Sequence, residues 1–388
     1  MRRYRSATAL CAVLALTAIH PPRGLGAQQL WRLQPQPQVS IGDGPGDGHE
    51  LYQVADATVA PDGRILLLDG GSHTVRIYGP QGRLLKSVGG KGDGPGEYQS
   101  LRTLRLLASG DLLVYDLVSQ RVTRLTPDLD VAHTTRVGHD VGVTIPVRSH
   151  LRPLASGAAL RAGGNIGVPE AVRRPEGLHQ DDVAIFVTDG SEDRRIVVRR
   201  APPSFKVTTG NQSLSPPVPF EATLLFTGSP TGVVVGSSHG TTFEALDARG
   251  QEEGTFIAEG TPRPVTSEDW DLFQAEFRRV RSQGIMIRGM MAVPGENVDK
   301  FLARTPRGKE FPLFDALLVD QMGRLWVREY GLAGDLARWQ VLEAGRGVVG
   351  RIDMPRAWTL LEAGDDFVLV RERDELDVEL VRKYGIAR

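Results

Sequence analysis

Four acids stand at matching points of a repeating pattern and are the first candidates for chemistry. Asp69, Asp116, Glu329 and Glu372 each end a short apolar run, at Ile65-Leu66-Leu67-Leu68, Leu112-Leu113-Val114-Tyr115, Leu325-Trp326-Val327-Arg328 and Phe367-Val368-Leu369-Val370-Arg371. Gathered at one end of a fold, carboxylates supply the oxygen donors that calcium prefers, and their crowding would raise their pKa values. The favoured expectation is plainer: each acid caps the turn that follows it, or pairs with an adjacent arginine such as Arg328 or Arg371. His49, His73, His139, His179 and His239 all fall in connections. Imidazole is the commonest metal ligand, but their spacing matches no local zinc signature, so a site would have to be assembled across the fold. Of these, His73 and His239 stay with the four acids as candidates to face a ligand. Arg278 and Arg281 complete the set as a possible anion clamp, against the favoured expectation of a solvated helix face.

Two motifs point to chemistry that their context does not support. Gly236-Ser237-Ser238-His239-Gly240 fits the G-x-S-x-G pattern of serine hydrolases. A nucleophile elbow needs a helix behind the serine, whereas Thr241-Thr242-Phe243-Glu244-Ala245-Leu246 reads as a strand. Gly92-Asp93-Gly94-Pro95-Gly96 resembles a phosphate cradle, yet Pro95 lacks an N–H and no helix follows. These glycines are expected to supply positive φ in a connector. No catalytic residue is assigned.

The elements that position these residues repeat. The turns Asp62-Gly63, Ser109-Gly110 and Ser156-Gly157 are spaced 47 residues apart, and more distant copies begin near Thr231, Met322 and Asp365. A period of 40 to 50 residues with four short strands per unit predicts β-propeller blades. The fold expected is all-β: a six-bladed propeller of four-stranded antiparallel blades. The last repeat supplies only three strands, so the orphan segment Leu30–Val39 is expected to close the ring and remove an exposed edge.

Residues 1–27 read as a secretory signal peptide, with Arg2, Arg3 and Arg5 before the apolar run Ala7–Ile19 and cleavage near Ala27. Its loss removes four arginines and no acid, taking the formal net charge from −1 to −5, and leaves no cysteine. A mildly acidic exported chain lacks the basic field that nonspecific nucleic-acid binding needs. No other run is long enough to predict a membrane helix. The remainder, 28–388, is expected to be one monomeric domain, periplasmic or extracellular.

Propeller strands alternate in direction, so d-to-a and b-to-c connections share one face. That upper face is predicted to carry two insertions, about 163–181 within blade three and about 259–310 between blades four and five. Long loops on a rigid scaffold so often carry function that this face is the expected binding face. The second insertion should contain a helix capped by Ser267, with Trp270, Phe273, Phe277 and Val280 on one face, a stop at Gly284, and a short helix near Asn297–Ala303. The aromatic stripe is expected to pack rather than to meet ligand.

At Gly92-Asp93-Gly94-Pro95-Gly96-Glu97-Tyr98 and at Asp320-Gln321-Met322-Gly323-Arg324-Leu325-Trp326-Val327-Arg328-Glu329 the chain resembles bacterial secreted six-bladed propellers of the NHL-like and TolB-like type. The resemblance implies the fold over nearly the whole mature chain. It does not choose among the protein-binding scaffolds, gluconolactonase-type enzymes and an amidating lyase built on such rings. The primary expectation is a binding protein with no cofactor that takes a small-molecule or protein partner on the lidded face. The alternatives are a calcium-dependent hydrolase or lactonase, with Asp69, Asp116, Glu329 and Glu372 as metal candidates, and an envelope assembly scaffold.

Overall fold

The computed structural model describes residues 29–44, 50–137, 151–164, 175–188, 193–209, 212–214, 217–281, 285–287, 290–293, 298–332 and 334–388. The signal segment, His49, His139 and Gly284 lie outside these residues.

Six antiparallel blades form the ring. Blade one comprises strands a to d at Val54–Val59, Ile65–Asp69, Thr74–Tyr78 and Leu84–Gly89. Blade two repeats it at Leu101–Leu106, Leu112–Asp116, Arg121–Leu125 and Val131–Arg136. Blade three shows three strands among the described residues, Ala159–Gly164, Asp182–Thr188 and Asp193–Arg200. Blade four spans Leu224–Gly228 to Glu252–Ile257, and blade five Phe314–Val319 to Gly347–Pro355. The b strands of blades one and two are apolar up to a terminal buried acid. Ile65 to Asp69 and Leu112 to Asp116 have no exposed residue.

Blade six has Thr359–Ala363, Phe367–Arg373 and Glu379–Ala387 from the C-terminal end. Its outer strand is N-terminal, as expected: Arg32–Leu33 and Val39–Ile41 pair antiparallel with Glu379–Ala387. Just before them Gln29–Leu30 pairs in parallel with Gly350 and Arg351 of blade five. The N-terminal segment therefore fastens two blades at once.

The core is distributed around the ring as clusters between neighbouring blades. Leu66, Leu68, Leu104 and Val114 join blades one and two, and Trp31, Trp326, Trp339 and Val370 join blades five and six. Burying each such side chain contributes about 1.5–3 kcal/mol, so ring closure is what makes the blades stable together.

The upper face carries a cap. Helix α1 (Ser267–Arg281) and helix α2 (Val298–Arg304) lie in the second insertion. The first insertion contributes Gly177–His179, which pairs with Ser204–Thr209 from the connection between blades three and four. That third contributor went unread in the sequence. Val207 there packs on Val298 and Leu302 of α2, with Phe273 and Phe277 of α1 beside them. Phe220 is the hub, with its ring centroid 5.5 Å from Phe273, 5.7 Å from Phe311 and 6.4 Å from Trp270. The aromatic stripe is thus spent on packing.

Candidate functional site

On the upper face, at the mouth of the central channel, lies a cavity of about 920 Å³. Its wall comes from blades five, six, one and two: the starts of their inner a strands, the b-to-c turns at Gly70, Gly71 and Leu117, and Trp339. No described residue of either predicted insertion lines it. The cap stands over the blade four and five side, where a separate cavity of about 540 Å³ is lined by Arg263, Asp269, Phe311 and Tyr330. Burial pushes the Tyr330 hydroxyl up to about 12, and Arg263 is already paired with Asp269 at 2.6 Å.

Backbone irregularities shape the basin. In blade one the a strand shifts register between Val54 and Asp56, in blade two between Leu101 and Thr103, and in blade five between Phe314 and Ala316. The extra residues of these bulges, Ala55, Arg102 and Asp315, all line the basin. A bulge turns one side chain out of the strict alternation of a strand, and bulges concentrate next to sites for that reason.

Beyond the basin's lining lies a buried charged network. Arg152 donates to Asp56 Oδ2 at 3.1 Å, Asp56 Oδ1 at 2.8 Å and Glu362 Oε1 at 3.3 Å. It also donates to the carbonyls of Ala57 and Leu361. Asp56 accepts further bonds from the Ala57 and Leu104 amides, and Glu362 from Thr58, the Val59 amide and Gln321. Each of the four carboxylate oxygens thus accepts two hydrogen bonds. Burial opposes the Arg152 charge, but the two carboxylates override it and hold the guanidinium above its ordinary value. Burial raises Glu362. Arg105 beside them is pushed down to about 10 by burial and by the Arg152 charge. Along the a strands this network falls between the basin and a cavity of about 610 Å³ on the lower face, lined by Thr58, Arg152 and Glu362.

The candidates read from the sequence separate into several roles. Asp69 is fully buried: Oδ1 accepts from the amides of Gly71 and Ser72, and Oδ2 lies 2.8 Å from Arg76. Asp116 is its counterpart, accepting from Val118, Ser119, Gln99 and Ser100. Both are turn caps. Glu329 accepts from Gln340 at 2.8 Å, and Glu372 is paired with Arg382. Among the described residues no group of three or more His, Cys, Asp or Glu is placed to hold a metal.

The expected pairing of acids with adjacent arginines does not form. Neighbours on a strand point to opposite faces, so Arg328 reaches Asp315 at 2.6 Å and Arg371 donates to the Val54 carbonyl at 2.6 Å. Both arginines line the basin, with Arg102 and Arg373. Their adjacency to the repeated acids was the available signal.

His73 also lines the basin, at φ 57°, and its buried Nδ1 has no hydrogen-bond partner among the described residues. Gln120 takes the same conformation at the matching turn of blade two, at φ 50°. The other candidates lie with the cap. Nε2 of His239 is 3.1 Å from the Glu310 carbonyl, and Arg278 bridges α1 to Asp299 of α2 at 2.7 Å. Arg281 ends α1, and its side chain lies outside the described residues.

No family model matches the chain, and no curated protein does. Among solved structures, the chain is similar to a putative exported protein from Bacteroides fragilis, at 12% identity over 93% of this chain and 96% of that one, TM-score 0.44. It is similar to a DUF4221 family member from Bacteroides vulgatus, at 11% identity over 93% and 99%, TM-score 0.45. A third is the PQQ-bound aldose sugar dehydrogenase from Streptomyces coelicolor, at 11% identity over 92% and 98%, TM-score 0.41. Scores below one half carry nothing about activity or ligand. No helix among the described residues is long and apolar enough to cross a membrane.

Proposed function

We propose that this protein is an exported binding protein that takes a small ligand into the upper basin, as a monomer, with no chemistry and no resident cofactor. The observation that carries this reading is the basin itself: about 920 Å³ built from four blades and shaped by three bulges. That volume is within the range of small-molecule sites. The acids that line the basin, Asp315 and Glu379, are each engaged by an arginine of the wall, Arg328 at 2.6 Å and Arg373 at 2.9 Å. A carboxylate held in such a pair is a poor proton acceptor, which favours binding over general-base catalysis. The export part of the proposal rests on residues 1–27.

The test is hydrogen exchange on the purified protein while a metabolite library is screened by thermal shift. A stabilising compound should protect peptides covering 53–55, 70–73 and 99–103 and leave α1 and α2 unchanged. Protection confined to the cap would transfer the binding role to the insertions. Turnover of a bound compound would end the reading of a pure binder.

A further inference from the structure

The basin is not neutral. Four guanidinium groups line it, from Arg102, Arg328, Arg371 and Arg373, against two carboxylates, Asp315 and Glu379. Asp315 is matched by Arg328 at 2.6 Å, and Glu379 by Arg373 at 2.9 Å. Glu379 Oε2 is further engaged by the Val54 amide at 2.6 Å. Both acids are therefore satisfied within the wall, and although Arg373 also pairs with Asp377 at 2.8 Å and Arg371 lies 3.8 Å from Glu379, the four cations still outnumber these three acids. The Arg102 side chain, exposed at the basin wall, makes no hydrogen bond or ion pair among the described residues, although it sits at the bulge that turns it into the basin. An arginine on an open convex surface is ordinarily just solvated. In a concave site with low-dielectric walls, a surplus of one sign focuses the field on whatever enters.

Resting on the proposed binding role of the basin, we infer that its ligand is a small molecule bearing a carboxylate or phosphate group, with Arg102 as the open anion-contacting residue. A guanidinium offers a planar fork of donors that meets either group with two parallel hydrogen bonds. Arg371 adds to the case. Burial holds its guanidinium below the ordinary value despite the carboxylate of Glu379 nearby, and an incoming anion relieves a desolvated cation. The open lip at Leu117, which is 37% exposed, leaves room for an uncharged portion of the molecule to extend outward.

The experiment is calorimetric titration with inorganic phosphate, glucose 6-phosphate, succinate, citrate and uncharged glucose, at low salt and at about 0.15 M. At least one anionic probe should bind, more weakly as salt rises. The phosphate and carboxylate arms separate the two chemistries. Arg102→Gln should weaken that binding about 10- to 100-fold, the span expected for a lost charge-assisted contact. Arg102→Lys should fall between, and Arg278→Gln on the cap should bind as the unaltered protein does. Because Arg102 holds nothing in place, its variants should keep the original melting temperature, so lost affinity is not misfolding. The inference is overturned if no anionic probe binds up to about 10 mM, or if binding is indifferent to Arg102→Gln. Glucose binding that protects 99–103 from exchange without charge dependence overturns the anion class and leaves the basin reading standing. Protection only in the cap overturns both.

Discussion

Asp69 and Arg102 are both charged groups at the upper ends of blade strands, and their surroundings give them opposite roles. Asp69 is saturated by two turn amides and Arg76, so Asp69→Ala should destabilise the fold by about 3 kcal/mol in urea titration, as breaking a buried pair does. Arg152 is the more severe case. Arg152→Met removes the counter-charge of two buried carboxylates and should cost about 3–5 kcal/mol. The pH dependence of that loss follows from Glu362. Its folded pKa is already raised from 4.5 by burial, and loss of Arg152 raises it further. A raised folded pKa favours the fold at low pH and works against it as pH climbs through that value. The deficit of the variant should therefore narrow as pH falls from neutrality toward the ordinary carboxyl range, measured as the difference in urea midpoint. The acids were legible in the sequence because they repeat. Arg152 was not, because its partners Asp56 and Glu362 lie far from it along the chain and meet only when the ring closes.

Helix α1 shows how far local spacing reaches at the scale of an element. Its existence and its aromatic face were readable from periodicity, but the cap is Thr266 rather than Ser267. Thr266 Oγ1 accepts from the Asp269 amide at 3.1 Å, and Asp269 accepts from the Thr266 amide at 2.8 Å, a reciprocal capping box. The spacing Thr266-Ser267-Glu268-Asp269 carried this signal one residue earlier than expected. Thr266→Ala should loosen α1 by about 1 kcal/mol, seen as faster amide exchange in its first turn. Asp269 also receives both Nη atoms of Arg263, and this pairing holds its carboxyl far below the ordinary 3.8. A depressed folded value means that the stabilisation is complete above the unfolded value and is lost as pH falls below it. Proteolysis of the cap should therefore quicken below about pH 4 in the original protein, and Asp269→Asn should already show that faster cleavage at neutral pH. The bulges at Ala55, Arg102 and Asp315 could not be read this way. An extra residue in one strand is defined only against the register of its partner.

For the whole molecule, closure of the ring depends on the N-terminal segment. Trp31 is 4% exposed and meets Trp326 edge-on at 5.9 Å. A Cβ on Gly350 would come within 2.3 Å of the Trp31 ring, so only glycine lets the indole lie there. Trp31→Ala should cost about 3–5 kcal/mol and lower the single melting transition, because blades five and six both lose a partner. Chelation, by contrast, should leave the melting temperature unchanged. A fall on chelation, with a stoichiometric ion in the purified protein, would instead support the metal-dependent hydrolase alternative, since an ion bound only to the folded state must stabilise it. The sequence by itself determined the blade count, the strand grammar, the N-terminal closure and both helices of the cap. Each of these depends on local periodicity or on a repeat that comes up one strand short. It also placed irregular segments on the upper face, because alternation of strand direction decides which connections share a side. Only the tertiary structure separated cap from basin, divided the repeated acids between turn caps and cross-strand partners, and brought Arg102, Arg328, Arg371 and Arg373 from three blades around one cavity. Those outcomes depend on which strands meet across the channel, and contacts between residues hundreds of positions apart leave no local pattern to read.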